Sequence, residues 1–219
     1  MASDDKTIIY YTANTEDPVF EQRIRDDLKK KAGDIPIISV SRKPIDLGTN
    51  ICVGEQTVCY TNEWKQLLVG LKAAKTKFCF TAEADCLYPA NYFSFTPPVD
   101  NMMHYYDNLW IVWKYHNAFW RKTGHCEGAE VCGREYWISR LEPLLLDSWE
   151  PIADPAERMR YENKLVTKFF PKEDVWKGEP VISFKTRDGL SFRTTFINQS
   201  KTKVLPPWGT ISEVKKIFI

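Results

Sequence analysis

Residues 77–89 read KFCFTAEADCLYP. Lys77 to Thr81 is a short apolar, β-prone run that passes without a break into Ala82-Glu83-Ala84-Asp85. Two carboxylates one residue apart on an otherwise apolar segment therefore mark the end of a buried strand. Open α/β sheets take their ligands beyond the carboxyl ends of their strands, at the crevice where strand order reverses. A tight bend at that point would aim both side chains at one spot. Paired oxygen ligands suit magnesium or manganese, which also bind substrate phosphates. A strand that merely ends in solvated acids carries the same letters; what separates the two cases is the surrounding chain.

On the N-terminal side the pattern alternates strictly. KTIIYYTA (6–13) is a first buried strand. Asp17-Pro18 then supplies a helix cap and a favourable first helical residue. Phe20, Ile24 and Leu28 follow at four-residue spacing, and the helix should stop near Gly33. IPIISV (35–40) is a second strand, so strand, helix and strand form a parallel βαβ unit. SRKPIDLGTNICVG (41–54) reads as a loop punctuated by Pro44, Gly48 and Gly54. Asn62 to Ala74 is a second amphipathic helix through Trp64, Leu67, Leu68 and Leu71, which makes KFCFT the third strand.

Beyond residue 100 the alternation breaks down. MMHYYD (102–107) and LWIVWK (109–114) read as neighbouring strands or a bent hairpin. A Gly124–Gly128 loop leads to a short strand at Ala129–Cys132. Arg134–Leu146 and Pro155–Phe169 are predicted helices. Pro180–Lys185 and Phe192–Ile197 are predicted late strands around an Arg187-Asp188-Gly189 turn. With no internal repeat, low-complexity tract or linker, the expectation is one α/β domain over residues 1–219. It should hold a mostly parallel mixed sheet with helices on both faces.

Bulk properties bound the function. The chain has 219 residues with 43% hydrophobic and 27% charged, an ordinary globular balance. A net charge of +1 gives no broad attraction to nucleic acid. The runs Lys29-Lys30-Lys31, Lys72/Lys75/Lys77 and Lys201/Lys203 read as solvated faces, with a basic acceptor groove as their other use. Aromatics reach 14%, including 8 Trp. Such a surplus serves either as core or as a cleft that stacks flat rings. The six cysteines (52, 59, 79, 86, 126, 132) contain no CxxC pair, and Cys79 reads as a small buried hydrophobe. Reduced thiols, a polar N-terminus and no apolar run of about 18 residues lead us to expect a cytoplasmic protein without a membrane span. No Walker loop, GxSxG elbow, HExxH or GxGxxG occurs.

The stretch TAEADCLYP resembles the metal motif of GT-A glycosyltransferases, written DxD with variants such as ExD. It looks like the form found in small phage and bacterial members, where an acidic-x-Asp is followed by apolar residues and Tyr-Pro. PIISVSRKPIDLGTNICVG (36–54) is similar to the region after the second strand in the same proteins. The resemblance spans residues 7–95, and Glu83 stands where the motif more often has Asp. It implies a Rossmann-like GT-A domain, with residues 7–100 binding a nucleotide-sugar and 101–219 facing the acceptor. Asp85 and Glu83 would hold manganese or magnesium.

Residue by residue, the resemblance implies that Thr12 and Asn14 approach the nucleobase and ribose; both are also common turn residues. Arg42 and Lys43 would meet the donor's phosphates or sugar, or else lie in an exposed loop. An inverting enzyme needs a carboxylate near the acceptor hydroxyl. The positions after the Ala129–Cys132 strand that fit are Glu150, Asp154 and Glu157, with Glu127 and Glu130 as rivals; Asp154 before Pro155 also fits a helix cap. His125 fits a third metal ligand or an acceptor contact. A zinc set of His116, His125, Cys126 and Cys132 matches no familiar spacing.

The implied activity is metal-dependent sugar transfer from a UDP-linked donor to a hydroxyl on a glycan, lipid-linked sugar, protein or hydroxymethylated DNA base. Trp110, Trp113, Tyr115 and Trp120 would stack a flipped base, or simply fill core strands. If phage-encoded, the protein would work in the host cytoplasm, as a monomer or small homo-oligomer. The alternatives are a nucleotidyltransferase, against which the acidic TANTEDP (12–18) argues, and a non-enzymatic nucleic-acid-binding module.

Overall fold

The first half of the chain forms β1 (Lys6–Thr12), α1 (Pro18–Ala32), β2 (Ile37–Ser41), β3 (Thr49–Cys52), α2 (Tyr60–Ala73) and β4 (Phe78–Glu83). The computed structural model describes residues 5–124, 126–168, 173–186 and 197–219. Along β1 the side chains alternate between two helical layers, as a pleated strand requires. Ile8 and Tyr10 pack with Leu28 and Ala32 of α1, while Ile9 and Tyr11 pack with Trp64, Leu67 and Leu71 of α2. Burial on both faces is why the strand reads as an unbroken apolar run. Asp17 caps α1 by accepting from the N–H groups of Val19 and Phe20, each at 3.0 Å, a contribution of about 1 kcal/mol. α2 lies so close on the sheet that a Cβ at Gly70 would collide with the Ile9 side chain.

The remainder adds β5 (Cys86–Leu87), β6 (Met103–Tyr106), β7 (Leu109–Trp113), β8 (Phe119–Lys122), β9 (Glu130–Gly133), α3 (Arg134–Leu141), α4 (Pro155–Lys168), β10 (Glu173–Trp176), β11 (Val181–Lys185), β12 (Ile197–Thr202), β13 (Val204–Leu205), β14 (Gly209–Thr210) and α5 (Ile211–Val214). The central seven-stranded sheet has the order β10-β6-β9-β4-β1-β2-β3, and only β9 runs against the others. The expected mostly parallel α/β architecture with helices on both faces is what forms. A second sheet, β12-β8-β7-β11-β5, packs Val112, Phe119, Ile182 and Phe184 with Phe20 and Ile24 of α1. No helix among the described residues is long and apolar enough to cross a membrane.

Four expectations are corrected. The 41–54 segment is not all loop, because Thr49–Cys52 adds β3 to the sheet edge, parallel to β2. Its residues are half-buried or exposed, so no apolar pattern announces them. The runs at 103–106 and 109–113 do not pair with each other: β6 joins the central sheet and β7 the second. β11 and β12 are likewise not neighbours, since β7 and β8 lie between them. The Arg187-Asp188-Gly189 turn and residues 192–196 lie outside the described residues, as does Phe169. Finally, α3 stops at Leu141 and continues as a 3-10 turn over Glu142–Leu144. Pro143 brings no N–H to extend the helical ladder.

Candidate active site

The chain leaves the central sheet at Glu83, bends through Asp85 and enters the second sheet at Cys86, so both carboxylates stand in the seam between the sheets. From β1 the strand order runs to β2 and β3 on one side and to β4 on the other. The carboxyl end of the β1–β4 pair is thus the switch point of the parallel sheet. Tyr11 lies in register with Glu83. Its hydroxyl donates to Glu83 Oε1 at 3.1 Å and to the Glu127 carbonyl at 3.2 Å. The Tyr88 hydroxyl accepts from the Glu83 N–H at 3.1 Å and donates to the Gly128 carbonyl at 2.6 Å. A Cβ on Gly128 would sit 2.6 Å from Glu83 Oε2, so only glycine leaves room for that carboxylate.

Asp85 uses its oxygens separately. Oδ2 accepts from Lys185 Nζ at 3.1 Å in a largely buried ion pair, and Oδ1 accepts from the Cys86 thiol at 3.4 Å. The pair is braced by the Phe184 N–H, which donates to the Asp85 carbonyl at 2.7 Å. The Cys86 thiol also lies 3.9 Å from Glu83 Oε2, which ties the two acids to one point. Glu63, in the first turn of α2, adds a third acid that interacts with Glu83 and Asp85.

The seam is dense in acidic groups. Burial pushes the Glu63 carboxyl up to about 8; the charges of Glu127 and Asp85 add to this, and the hydrogen bond to Glu83 opposes it. Burial likewise holds Glu83 well above the usual carboxylate range, with Cys126 and Asp85 adding. The Cys126 thiol is drawn down to about 6 chiefly by its hydrogen bond from Cys86, against burial and with help from Lys122. Burial alone would lower Lys185 and Lys122. The surrounding acids and thiols outweigh it, with Asp85 foremost for Lys185 and Cys126 for Lys122, and hold both ammonium groups above their usual range.

Thr12 and Asn14 meet Arg42 and Lys43 at the adjoining strand ends. Asn14 adopts φ 52°; its Oδ1 accepts from the Lys43 N–H at 2.9 Å, and its own N–H donates to Thr12 Oγ1 at 2.9 Å. Arg42 donates to the Ala13 carbonyl at 3.0 Å and pairs with Glu55; Lys43 pairs with Glu55 at 3.7 Å. The turn use of Thr12 and Asn14 is therefore real, and all four residues stand together beside the switch point.

The candidate bases separate in space. Glu127 is exposed, with its backbone carbonyl on the Tyr11 hydroxyl that also binds Glu83, and Glu130 is buried in β9. Asp154 caps α4, accepting from the Glu157 N–H at 2.6 Å. Glu150 and Glu157 are exposed. Glu150 follows a segment bound to the start of α2, where Asn62 donates to the Trp149 carbonyl at 2.8 Å.

The zinc set does not assemble among the described residues. Cys132 lies opposite Cys79 inside the sheet and donates to the Met102 carbonyl at 3.3 Å, His116 is exposed, and His125 lies outside the described residues. The thiols that do reach the acidic pair are Cys86 and Cys126. Sequence patterning missed Glu63, Cys86 and Lys185, and put Cys126 in a different ligand set. The available signals were a thiol directly after Asp85 and a lysine ending the apolar run VISFK.

No family profile and no curated protein sequence matches this chain. Solved structures of similar fold include a Staphylococcus aureus TarS fragment in complex with UDP-GlcNAc, at TM-score 0.49 and 10% identity, covering 83% of this chain and 58% of that one. A glycosyltransferase involved in glycosylation of the major capsid of PBCV-1 follows at TM-score 0.48 and 10% identity, covering 78% and 81%. The bifunctional IspDF of Campylobacter jejuni matches at TM-score 0.44 and 12% identity, covering 80% and 50%. The chain thus spans only half to three-fifths of the IspDF and TarS chains. At these identities and scores no activity of those proteins transfers to this chain.

Proposed function

We propose that this chain transfers a sugar from a UDP-linked nucleotide-sugar to a hydroxyl acceptor with the help of manganese or magnesium. One observation carries the proposal: Glu83 and Asp85 converge at the switch point, beside the strand ends that hold Thr12, Asn14, Arg42 and Lys43. The donor set fits a divalent cation. Asp85 Oδ1 meets the Cys86 thiol, which also lies 3.9 Å from Glu83 Oε2, while Oδ2 stays with Lys185. A doubly positive ion beside Glu63 and Glu83 would favour the ionised carboxylates that burial and crowding oppose. Such an ion supplies Lewis-acid neutralisation of a diphosphate leaving group. Within the chain, Thr12 and Asn14 place the nucleoside and Arg42 and Lys43 meet the donor. Lys185 adds positive charge behind Asp85, and Glu127, whose backbone adjoins Tyr11 and Glu83, is the group to take the acceptor proton.

The acceptor side is supplied by the second sheet. Strand pairing puts Cys86, Ser183, Lys185, Trp113, Ile111 and Trp120 on one face, because in-register neighbours point the same way. Trp113 and Trp120 meet edge to face at 5.8 Å, and the Lys201 ammonium lies 5.2 Å over the Trp120 ring. Half-buried indoles with a lysine alongside suit a flat ring attached to an anionic chain, which keeps a hydroxymethylated DNA base among the acceptors to be tried.

Nucleotidyl transfer would use the same sheet edge but release pyrophosphate. The segment after β1 contains Glu16 and Asp17 and no basic residue, which favours sugar transfer. Incubation of UDP-sugars with glycan, protein and hydroxymethylated-DNA acceptors should release UDP in step with acceptor gain, and chelation of divalent cations should stop it. Pyrophosphate release from a nucleoside triphosphate, with no UDP formed, would overturn the proposal.

A further inference from the structure

We infer that Glu83, Cys86 and Cys126 form a site for a thiophilic divalent cation of the zinc or cadmium class. One Glu83 carboxylate oxygen and the two Sγ atoms all lie within 4.8 Å of one another. The thiols are not loose surface groups, since Cys86 is 1% exposed and Cys126 5%. Each is fixed by backbone. Cys86 lies in register opposite Ser183, and the Cys126 carbonyl accepts from the Ala129 N–H at 2.8 Å. Tyr11 steadies the carboxylate through Oε1.

Tetrahedral zinc takes thiolate sulfur at about 2.3 Å and carboxylate oxygen at about 2.0–2.2 Å, which places donors roughly 3.3–3.8 Å apart. The trio needs to close by only about 1 Å to reach that spacing. Three protein donors leave a fourth position for water or a further ligand, and Asp85 Oδ1 lies 3.4 Å from the Cys86 sulfur. Sulfur donors select zinc and cadmium over magnesium. On binding, the protons still carried by the two thiols and by the Glu83 carboxyl pass to solvent as the bonds to the metal form. Thiophilic binding requires no sugar transfer, so it stands or falls separately from the transferase proposal, with which it shares Glu83. Zinc would compete there with the harder ion.

Cadmium chloride titrated into the metal-free full chain should raise a sulfur-to-metal charge-transfer absorption that saturates at a single equivalent. Cys86→Ser and Cys126→Ser should each remove most of that band. Cys52→Ser, at an exposed thiol, should leave it intact. Circular dichroism checks that each variant is folded. Native mass spectrometry of the unaltered chain should find one bound zinc, a readout that needs no variant. A band that persists in both Cys86→Ser and Cys126→Ser, or a wild-type chain that binds neither ion saturably, overturns the site. Joint stabilisation by UDP and manganese would survive that failure, so the two proposals fail distinguishably.

Discussion

Asp85→Asn is expected to lose on the order of 10³-fold in turnover while remaining folded, the scale on which removing one preorganised charge stabiliser acts. The side chain keeps its size but not its charge, and it is the carboxylate that reaches the shared point through Oδ1. The substitution also strips Lys185 of its buried partner at 3.1 Å. An orphaned buried ammonium costs about 3 kcal/mol, toward the low end for broken buried pairs because asparagine still offers an oxygen. Domain stabilities of about 5–15 kcal/mol absorb that loss. Adding Lys185→Met should restore much of the stability and none of the activity. Steady-state kinetics with thermal melts of both variants separates the two effects, and full activity in Asp85→Asn would count decisively against the proposed role.

Gly128→Ala should reduce activity by about 10²-fold, the penalty for moving a positioned group by about 1 Å. The new methyl would meet Glu83 Oε2 at 2.6 Å and Cδ at 2.7 Å. Neither side can retreat easily. Tyr88 holds the Gly128 carbonyl at 2.6 Å, and Tyr11 holds the far oxygen of Glu83 at 3.1 Å. The carboxylate must therefore swing away, at about 1–3 kcal/mol in stability for the overpacking. The manganese concentration giving half-maximal rate should rise along with the loss of turnover. A Gly128→Ala protein with unchanged manganese dependence would show that Glu83 is not where the ion is held.

Sequence patterning reached β1, α1, β2, α2 and β4 because their signals are local. Asp17-Pro18 carries its own capping chemistry, and Trp64, Leu67 and Leu71 lie on one helical face whatever the rest of the chain does. The acidic pair at the end of β4 was legible for the same reason. β6 and β7 were not, because adjacent apolar strands look like a hairpin until their distant partners β9 and β11 are known. The rest of the site was hidden by distance. Glu63 looks like an acid complementing the dipole of α2, and Lys185 looks like a solvated strand end. Lys185 acquires its role only when strand register brings it to Asp85, and Glu63 only when α2 packs on β1.

The most direct measurement is a thermal melt of the wild-type chain with UDP, with manganese and with both. Pyrophosphate and side chains are held to grip one ion between them, so only the pair of ligands together should raise the melting temperature, and Asp85→Asn should abolish the rise. A shift produced equally by UDP alone, or no shift with both present, would contradict a cation held between the sheet edge and a nucleotide.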